Sequence, residues 1–292
     1  MSTQPYSDRV RDAGRLLAGA DFILIGAGAG LSAAAGLNYQ DPELFRKWYP
    51  QFARLGLNTI WEAIVAHWAP DDQNRRRFWA FWAHHIQKIR YDAPPGAVYL
   101  NLRGLVAAKE HFVITTNVDA QFVKAGFHPE LVFTPQGDYG KFQCAVPCSD
   151  TLYDNRDLVQ NLIANMDDAS VLVRDSDIPC CPACGDYLER SLRRDGHFVE
   201  SPHMEKQPAY AEFVNRSFAG RLVLLELGVG FNTPGIIRWP FERLVSHHPH
   251  ASLLRVNVDD ARVPVEIETR SIGFREDAAQ VIQDLLNEHA NA

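Results

Sequence analysis

The sequence contains no long uninterrupted apolar run and no excess of positive charge. Its longest apolar stretch, residues 22–37, is broken by glycines and is too short to span a bilayer. Lys and Arg total 29 against 36 Asp and Glu, and the net charge of −7 gives no long-range attraction for phosphate backbones. We therefore expect no membrane or nucleic-acid partner. The N-terminal residues lack the apolar core of a signal peptide, which favours a soluble, cytoplasmic protein.

Cysteine is also scarce, and all five cysteines lie between Cys144 and Cys184. An odd number in one region favours thiolate chemistry in a reducing compartment over a disulfide scaffold. The segment Cys181-Pro-Ala-Cys184-Gly is typical of a zinc knuckle, and Cys144 with Cys148 is the candidate second ligand pair. Four thiolates leave no open coordination position, which predicts a structural zinc ion. Use of Cys180 in place of Cys181, free core cysteines and a redox pair are the alternatives.

Apolar strands alternate with helical patterns along the chain, which predicts an α/β fold with a Rossmann-like parallel sheet. Residues 22–25 are uniformly apolar, as expected of a strand that is buried on both faces, and a glycine loop and a helix start follow them. Residues 112–116, 221–230 and 252–258 repeat this pattern.

Between Tyr39 and Tyr91 the composition changes, because this stretch holds five of the six tryptophans. The aromatic residues recur at helical spacing, which predicts an inserted helical module whose aromatic side chains form a core. We expect three modules in all. They are a Rossmann-type domain of residues 1–38, 96–140 and 218–292, the aromatic-rich helical module of residues 39–95, and a small zinc-ribbon module of residues 141–217.

In an open α/β sheet, ligands bind beyond the carboxyl ends of the strands. Gly26, Gly28 and Gly30 follow the first strand and would let the backbone approach a pyrophosphate at a helix start. A tight turn without a ligand is the alternative. Leu31 stands where the dehydrogenase fingerprint G-x-G-x-x-G requires glycine, which disfavours an ordinary nicotinamide dehydrogenase.

Asn117 and Asp119 follow another strand. Short polar side chains in this position can bond sugar hydroxyls and a carboxamide. An Asx-type turn is the alternative interpretation.

Taken together, these motifs resemble the sirtuin family. GAGAGLSAAAG resembles its glycine loop, TTNVD its TQNID-type segment, the four cysteines its zinc ribbon, and LRVNV its late strand. Gln136-Gly137 stands where deacylating sirtuins carry His-Gly, and a neutral amide cannot accept a proton near pH 7. The segments QGDYG, FQC, CPACG and ELGVGFNTP are similar to those of the macrodomain-linked class M sirtuins.

This resemblance implies a Rossmann-type domain that binds NAD⁺ as co-substrate, with the cofactor in the cleft beside the smaller module, and a structural zinc ion. It further implies mono-ADP-ribosylation of a protein acceptor. The acceptor expected from the family is a lipoylated carrier protein of the glycine-cleavage H type, and a macrodomain hydrolase is expected to act in opposition.

The resemblance also implies the site residues. Those expected to act in catalysis are Asn117, Gln136 and Asp119, and Asp119 is expected to recognise the carboxamide. Gly26, Gly28, Asn117 and Asp119 are expected to face the nicotinamide-ribose end, and Gly228, Gly230 and Asn257 the adenosine end. The complete set expected to contact the cofactor is Gly26, Ala27, Gly28, Tyr39, Thr116, Asn117, Asp119, Gln136, Gly228, Val229, Gly230, Asn232 and Asn257. The expected metal ligands are Cys144, Cys148, Cys181 and Cys184.

Three other functions stay open. One is an NAD⁺-dependent deacylase that recruits His197 as its base, although a solvated or capping histidine is the simpler interpretation of that residue. Another is hydrolysis of NAD⁺ without an acceptor protein. The last is a non-enzymatic protein that binds partners in response to NAD⁺.

Overall fold

A computed structural model describes residues 4–290, and the chain divides into two compact units. The first unit comprises Met1–Gly36, Pro94–Gln136 and His203–Ala292, and the second comprises Leu37–Ala93 and Gly137–Pro202. Residues 1–3 and 291–292 of the predicted Rossmann-type domain lie outside the described residues.

The described residues form nine strands and twelve α-helices. The strands are β1 (Phe22–Ala27), β2 (Glu110–Thr115), β3 (Val132–Phe133), β4 (Gly137–Cys144), β5 (Tyr153–Asp154), β6 (Leu188–Leu192), β7 (Leu222–Leu227), β8 (Ala251–Val256) and β9 (Ser271–Phe274). The helices are α1 (Tyr6–Gly19), α2 (Ala29–Ala34), α3 (Pro42–Trp48), α4 (Pro50–Ala53), α5 (Ile60–Ala66), α6 (Arg75–Ile86), α7 (Ala97–Val106), α8 (Gln121–Lys124), α9 (Arg156–Ala164), α10 (Gln207–Ser217), α11 (Arg238–His247) and α12 (Ala278–Ala290).

The first unit is built on a six-stranded sheet in the order β3-β2-β1-β7-β8-β9, and all its paired strands are parallel. This confirms the predicted α/β fold with a Rossmann-like sheet. The strand order reverses direction between β1 and β7, and ligands of open α/β sheets bind beyond the carboxyl ends at such a point.

Hydrophobic layers cover both faces of this sheet. Along β1, Ile23 and Ile25 pack into one cluster with residues of α1, α7 and α12, while Leu24 packs into the other with α10 and α11. Alternation of side chains along a strand explains this division. Both faces are therefore buried, as the uniformly apolar run predicts.

The second unit contains a three-stranded antiparallel sheet in the order β5-β4-β6, together with helices α3–α6 and α9. Phe78, Trp79, Phe81 and Trp82 of α6 are all buried, so the predicted aromatic core is present. The helical and zinc-binding segments thus share one unit, although the sequence suggested separate modules. Helix α10, at residues 207–217, falls in the first unit, whereas we had expected it in the zinc-binding module.

In the part of the chain that the structure describes, no helix has both the length and the apolar character needed to cross a bilayer.

A fully buried ion pair joins the adjacent strands β7 and β8. Arg255 donates from Nε and Nη2 to the two carboxylate oxygens of Glu226, each at 2.8 Å, and neither side chain is exposed to solvent. Arg255 Nη1 also lies 2.9 Å from Glu242 Oε1 on α11. Burial raises the pKa of Glu226, and the charge and hydrogen bonds of Arg255 oppose that rise.

We expect Arg255→Met to lower the free energy of unfolding by about 3–5 kcal/mol, because it removes both hydrogen bonds to a buried carboxylate and leaves only Arg238, 3.9 Å away, to offset its charge. Urea denaturation followed by circular dichroism measures this. The control is Arg11→Met, which removes a solvent-exposed pair with Asp8 and should change stability little. Equal losses in the two variants would contradict the importance of the buried pair.

Candidate functional site

Two backbone loops meet where the strand order of the first unit reverses. Gly28 N–H donates to the Leu227 carbonyl and Gly30 N–H to the Gly228 carbonyl, both at 3.0 Å. A Cβ on Gly28 would lie 2.7 Å from Gly228 O, and one on Gly30 would lie 2.7 Å from Gly228 Cα. Gly228 itself has a φ of +60°. Packing of one loop on the other therefore requires glycine at these positions. A tight turn without a ligand thus explains part of the need for glycine at Gly28 and Gly30.

Gly26 and Ala27 are placed inside the sheet. A Cβ on Gly26 would lie 2.5 Å from Ile237 Cγ2 and 2.6 Å from the Phe241 ring, so this glycine lets the sheet pack against α11. The Ala27 carbonyl accepts from Thr115 Oγ1 at 2.9 Å and from Thr116 N–H at 3.1 Å. Both residues support the strand end from which the loop departs.

The loop after β7 carries the other predicted glycine contacts. Val229 is buried in the apolar layer, whereas Gly230 and Asn232 are exposed. Among the described residues, no heavy atom outside Gly230 and its two chain neighbours lies within 4 Å of the position that a Cβ on Gly230 would occupy. Packing therefore imposes no requirement for glycine at this position.

Asn257 fixes the same loop. Its Nδ2 donates to the Val229 carbonyl at 2.8 Å, and its Oδ1 accepts from the N–H groups of Asp259 and Asp260 at 2.9 and 3.1 Å. Both ends of this amide are thus bonded to main chain, so Asn257 shapes the loops on which the predicted adenosine contacts lie.

Asn117 and Asp119 are the ends of one buried hydrogen-bonded chain. Asn117 Nδ2 donates to the Gly28 carbonyl at 2.9 Å and to Tyr99 Oη at 3.3 Å. Tyr99 Oη lies 3.0 Å from Ser32 Oγ, which donates to Asp119 Oδ2 at 2.6 Å. The structure therefore connects these two predicted residues through Tyr99 and Ser32.

Two donors, the Ser32 hydroxyl and the Gln121 N–H, form hydrogen bonds with the Asp119 carboxylate. Burial raises its pKa, while hydrogen bonds from Ser32 and from the main-chain N–H of Gln121, and the positive charge of Lys124, act to lower it. The Gln121 N–H lies 3.0 Å from Asp119 Oδ1. Burial and the nearby Asp119 raise the pKa of Tyr99 well above its usual value, so that hydroxyl is neutral.

Gln136 closes the first unit, three residues beyond β3. Its side chain is buried, and no hydrogen bond joins its amide to another of residues 4–290. Thr116 is half-buried and directly follows β2, next to Asn117.

Sequence reasoning missed Ser32, Tyr99 and Thr115. Ser32 lies in the small-residue stretch after the glycine loop, so its position next to a loop at a strand end was the available signal. Tyr99 has no such signal, because it reaches Ser32 across 67 positions of sequence.

Two further candidates belong to the second unit. Tyr39 Oη lies 3.4 Å from Nε2 of His85, a buried imidazole whose pKa burial lowers to about 3. His197 is 66% exposed, with its Nδ1 3.4 Å from Asp195 Oδ1. The solvated interpretation of His197 therefore fits its surroundings, and a role for Tyr39 at the cofactor stays a prediction.

The structure brings the four predicted metal ligands together in the second unit. The sulfur atoms of Cys144, Cys148, Cys181 and Cys184 all lie within 4.8 Å of one another. Sγ of Cys144 is 3.6 Å from that of Cys184, and Sγ of Cys148 is 3.7 Å from that of Cys181. Tetrahedral zinc with Zn–S bonds of about 2.3 Å places sulfurs about 3.8 Å apart. The cluster therefore fits a structural zinc ion, and Cys180 stands outside it.

Comparison with known proteins gives relatives over most of the chain. A protein ADP-ribosyltransferase from Staphylococcus aureus is 31% identical over 269 residues, which cover 91% of this chain and 84% of that protein. A probable bifunctional ADP-ribose hydrolase/ADP-ribosyltransferase from Fusarium oxysporum f. sp. cubense is 33% identical over 88% of this chain. The matched region spans only 44% of the Fusarium protein. No protein-family model matches the chain.

Solved structures share the fold. A Sir2 enzyme superposes with a TM-score of 0.61 at 18% identity, covering 98% of this chain and 99% of that chain. A Sir2 homologue in complex with NAD superposes with a TM-score of 0.57 at 16% identity, covering 96% and 93% of the two chains. This likeness shows that the chain has the Sir2 fold.

We expect one zinc ion per chain, detectable by elemental mass spectrometry of the purified protein. Cys181→Ser should release it, because removal of a thiolate opens the tetrahedral set. The matched control is Cys180→Ser, which alters the neighbouring thiol outside the cluster and should retain the metal. Loss of zinc from the Cys180 variant and retention in the Cys181 variant would reverse the ligand assignment.

Proposed function

The chain belongs to the family of the Staphylococcus aureus protein ADP-ribosyltransferase and has the Sir2 fold. From this premise we propose that it transfers ADP-ribose from NAD⁺ to an acceptor protein. The observation that carries the proposal is the set of buried groups at the carboxyl ends of the adjacent strands β2 and β3. Asn117 and Gln136 present neutral amides there, and Asp119 presents a buried carboxyl group.

The reaction breaks the bond between the nicotinamide nitrogen and C1′ of the ribose. The electron pair of this bond leaves with nicotinamide, which becomes neutral, and positive charge develops on the sugar ring. A lone pair of the acceptor then forms the new bond to C1′. Nothing in this step requires removal of a proton from the sugar, so a positioned and shielded ribose matters more than a base.

Gln136 supports transfer to an acceptor that is already ionised, such as a carboxylate. An amide both donates and accepts hydrogen bonds but does not take up a proton near pH 7. In its buried position the Gln136 amide can orient a hydroxyl or the acceptor without competing as a nucleophile. Deacylation needs a base that activates a ribose hydroxyl; the Gln136 amide cannot serve as one, and the exposed position of His197 gives that alternative no support.

The proposed NAD⁺ site lies on the first unit. The nicotinamide-ribose end would meet Asn117, Asp119, Thr116 and Gln136, and the adenosine end would meet the main chain of Gly228 and Gly230. Gly26, Ala27, Val229 and Asn257 hold the loops in place. The parallel sheet, the strand-order reversal and the exposed Gly230 support this orientation.

The acceptor and its partners are the finer part of the proposal. We propose a lipoylated carrier protein as acceptor and a macrodomain hydrolase acting in opposition. The Fusarium relative is named for both ADP-ribose hydrolase and ADP-ribosyltransferase activities, which supports the pairing of these two reactions. A cytoplasmic location accords with the thiolate cluster, which needs a reducing compartment.

We expect Asn117→Ala and Gln136→Ala each to lower kcat for label transfer from NAD⁺ by about 10²-fold, the effect of removing one positioned polar group at a developing charge. Transfer of radiolabelled ADP-ribose to a candidate acceptor measures this. The controls are Asn101→Ala and Gln160→Ala, which remove amides on the exposed sides of α7 and α9. Full transfer by both site variants would refute the site assignment.

The acceptor is tested by intact mass spectrometry of a glycine-cleavage H-type carrier after incubation with NAD⁺ and the enzyme. Lipoylated carrier should gain the mass of one ADP-ribose group, and unlipoylated carrier should gain none. Equal modification of both forms would remove lipoylation from the proposal. Release of nicotinamide without modification of any protein would show that the enzyme hydrolyses NAD⁺ instead of transferring ADP-ribose.

A further inference from the structure

We propose that Tyr99 is a positioning residue of the NAD⁺ site, because its hydroxyl, together with the Gly28 carbonyl, holds the Asn117 amide with its oxygen towards the ligand. The inference rests on the proposed function only for the identity of that ligand. It assigns to a residue of α7 a role at a site built on the loops that follow β1 and β2.

The orientation of the Asn117 amide follows from its partners. The Gly28 carbonyl can only accept a hydrogen bond, so the atom 2.9 Å from it is Nδ2 of Asn117. The second proton of Nδ2 points to Tyr99 Oη at 3.3 Å. Both protons of the amide are thus bound by the protein, and among residues 4–290 no donor bonds to Oδ1. The carbonyl oxygen is the end that remains for a ligand.

Which group donates in each of these hydrogen bonds depends on Asp119, at the end of the series opposite Gly28. Ser32 has one hydroxyl proton and donates it to Asp119 Oδ2 at 2.6 Å. Ser32 Oγ must therefore accept from Tyr99, 3.0 Å away, and Tyr99 Oη must accept from Asn117. An ionised carboxylate at one end and a backbone carbonyl at the other set every donor between them.

Protonation of Asp119 would reverse donor and acceptor in these hydrogen bonds. Its proton would go to Ser32, Ser32 would donate to Tyr99, and Tyr99 would then need an acceptor on Asn117. The amide can supply one only by turning Oδ1 inward, where it would meet the Gly28 carbonyl oxygen. The chain therefore couples the charge of Asp119 to the orientation of Asn117.

The surroundings of Asp119 determine how the orientation of Asn117 depends on pH. The groups that act on Asp119 are Ser32 of α2, the Gln121 N–H and Lys124 of α8, and, in turn, Tyr99 of α7. Burial raises its pKa, so the carboxylate protonates at a higher pH than an ordinary Asp. The ordered chain is present above that pKa and is lost as the pH falls through it.

The chemical consequence concerns the class of ligand group. An outward amide oxygen accepts a hydrogen bond and therefore selects a hydroxyl, whereas an outward NH₂ would select a carbonyl or a phosphate. The hydroxyls of the nicotinamide-bearing ribose fit the first case. The negative end of the amide dipole also faces a sugar that becomes positive when the glycosidic bond breaks.

The test is Tyr99→Phe, which removes the hydroxyl and keeps the ring that packs edge-on against Phe122. We expect it to weaken NAD⁺ binding about five- to tenfold, the usual effect of one lost hydrogen bond, as measured by isothermal titration calorimetry above the pKa of Asp119. The matched control is Tyr6→Phe, which removes a hydroxyl that donates to Asp284 at 2.7 Å elsewhere in the first unit. That control should bind NAD⁺ like the wild type.

A double-mutant cycle separates positioning from a general structural effect. If Tyr99 acts through Asn117, then Tyr99→Phe should change the Kd for NAD⁺ by less than about twofold in an Asn117→Ala background. A five- to tenfold further loss in that background would overturn the proposal. So would unchanged binding by the single Tyr99 variant.

The pH profile of the Kd supplies the second readout. If Asp119 acts on Asn117 through Ser32 and Tyr99, the weakening of NAD⁺ binding as the pH falls should be smaller in Ser32→Ala and in Tyr99→Phe than in the wild type, because each variant interrupts the series of hydrogen bonds. A wild-type pH profile of the Kd in both variants would contradict the coupling. Wild-type protein that binds NAD⁺ but transfers nothing would refute the proposed function, while the cycle read on Kd still decides the role of Tyr99. Wild-type protein that binds no NAD⁺ would overturn both.

Discussion

The close approach of two backbone loops at the centre of the parallel sheet is the constraint on which the site depends. Gly28 and Gly30 lie so near Gly228 that a Cβ on any of them would overlap main-chain atoms. This packing fixes the carbonyl of Gly28 relative to the strand ends. Since that carbonyl accepts a hydrogen bond from Asn117, the orientation of a side chain of the proposed site originates in a contact between glycines.

The series of hydrogen bonds from Gly28 to Asp119 transmits this constraint through side chains of α2, α7 and the loop after β2. Each hydrogen bond in this series has one possible donor, because groups that only accept, the Gly28 carbonyl and the Asp119 carboxylate, stand at the two ends of the series. Burial makes the carboxylate costly, and the donors from Ser32 and Gln121 offset part of that cost. In the proposed site, the low polarity that raises the pKa of Asp119 would also strengthen its attraction for a positively charged nicotinamide ring or sugar.

The sequence alone predicted the elements whose signal is local. Residues 22–25 specify a strand buried on both faces by composition, and the Cys-Pro-Ala-Cys spacing predicts the cysteine cluster that the structure assembles. Tyr99 escaped notice because an apolar helix pattern around it favours a core aromatic, and its hydroxyl gains meaning only from Ser32, 67 positions away. The unit boundaries likewise depend on tertiary packing: α10 follows the zinc-binding segment in sequence, but its Phe213 packs into the apolar layer on the Rossmann-like sheet.

A glycine-rich loop indicates that something approaches the backbone closely, but it does not say whether that partner is a ligand or the protein itself. For Gly26, Gly28 and Gly30 the space of the missing side chain is filled by protein atoms, so packing alone requires glycine there. Gly230 differs, because it is exposed, has open space around its Cβ position and does not have a positive φ. Neither packing nor backbone conformation then explains that glycine. The hypothesis that this edge of the sheet receives a nucleotide therefore rests on Gly230 and the polar strand ends more than on the glycine loop by which the sequence first indicated it.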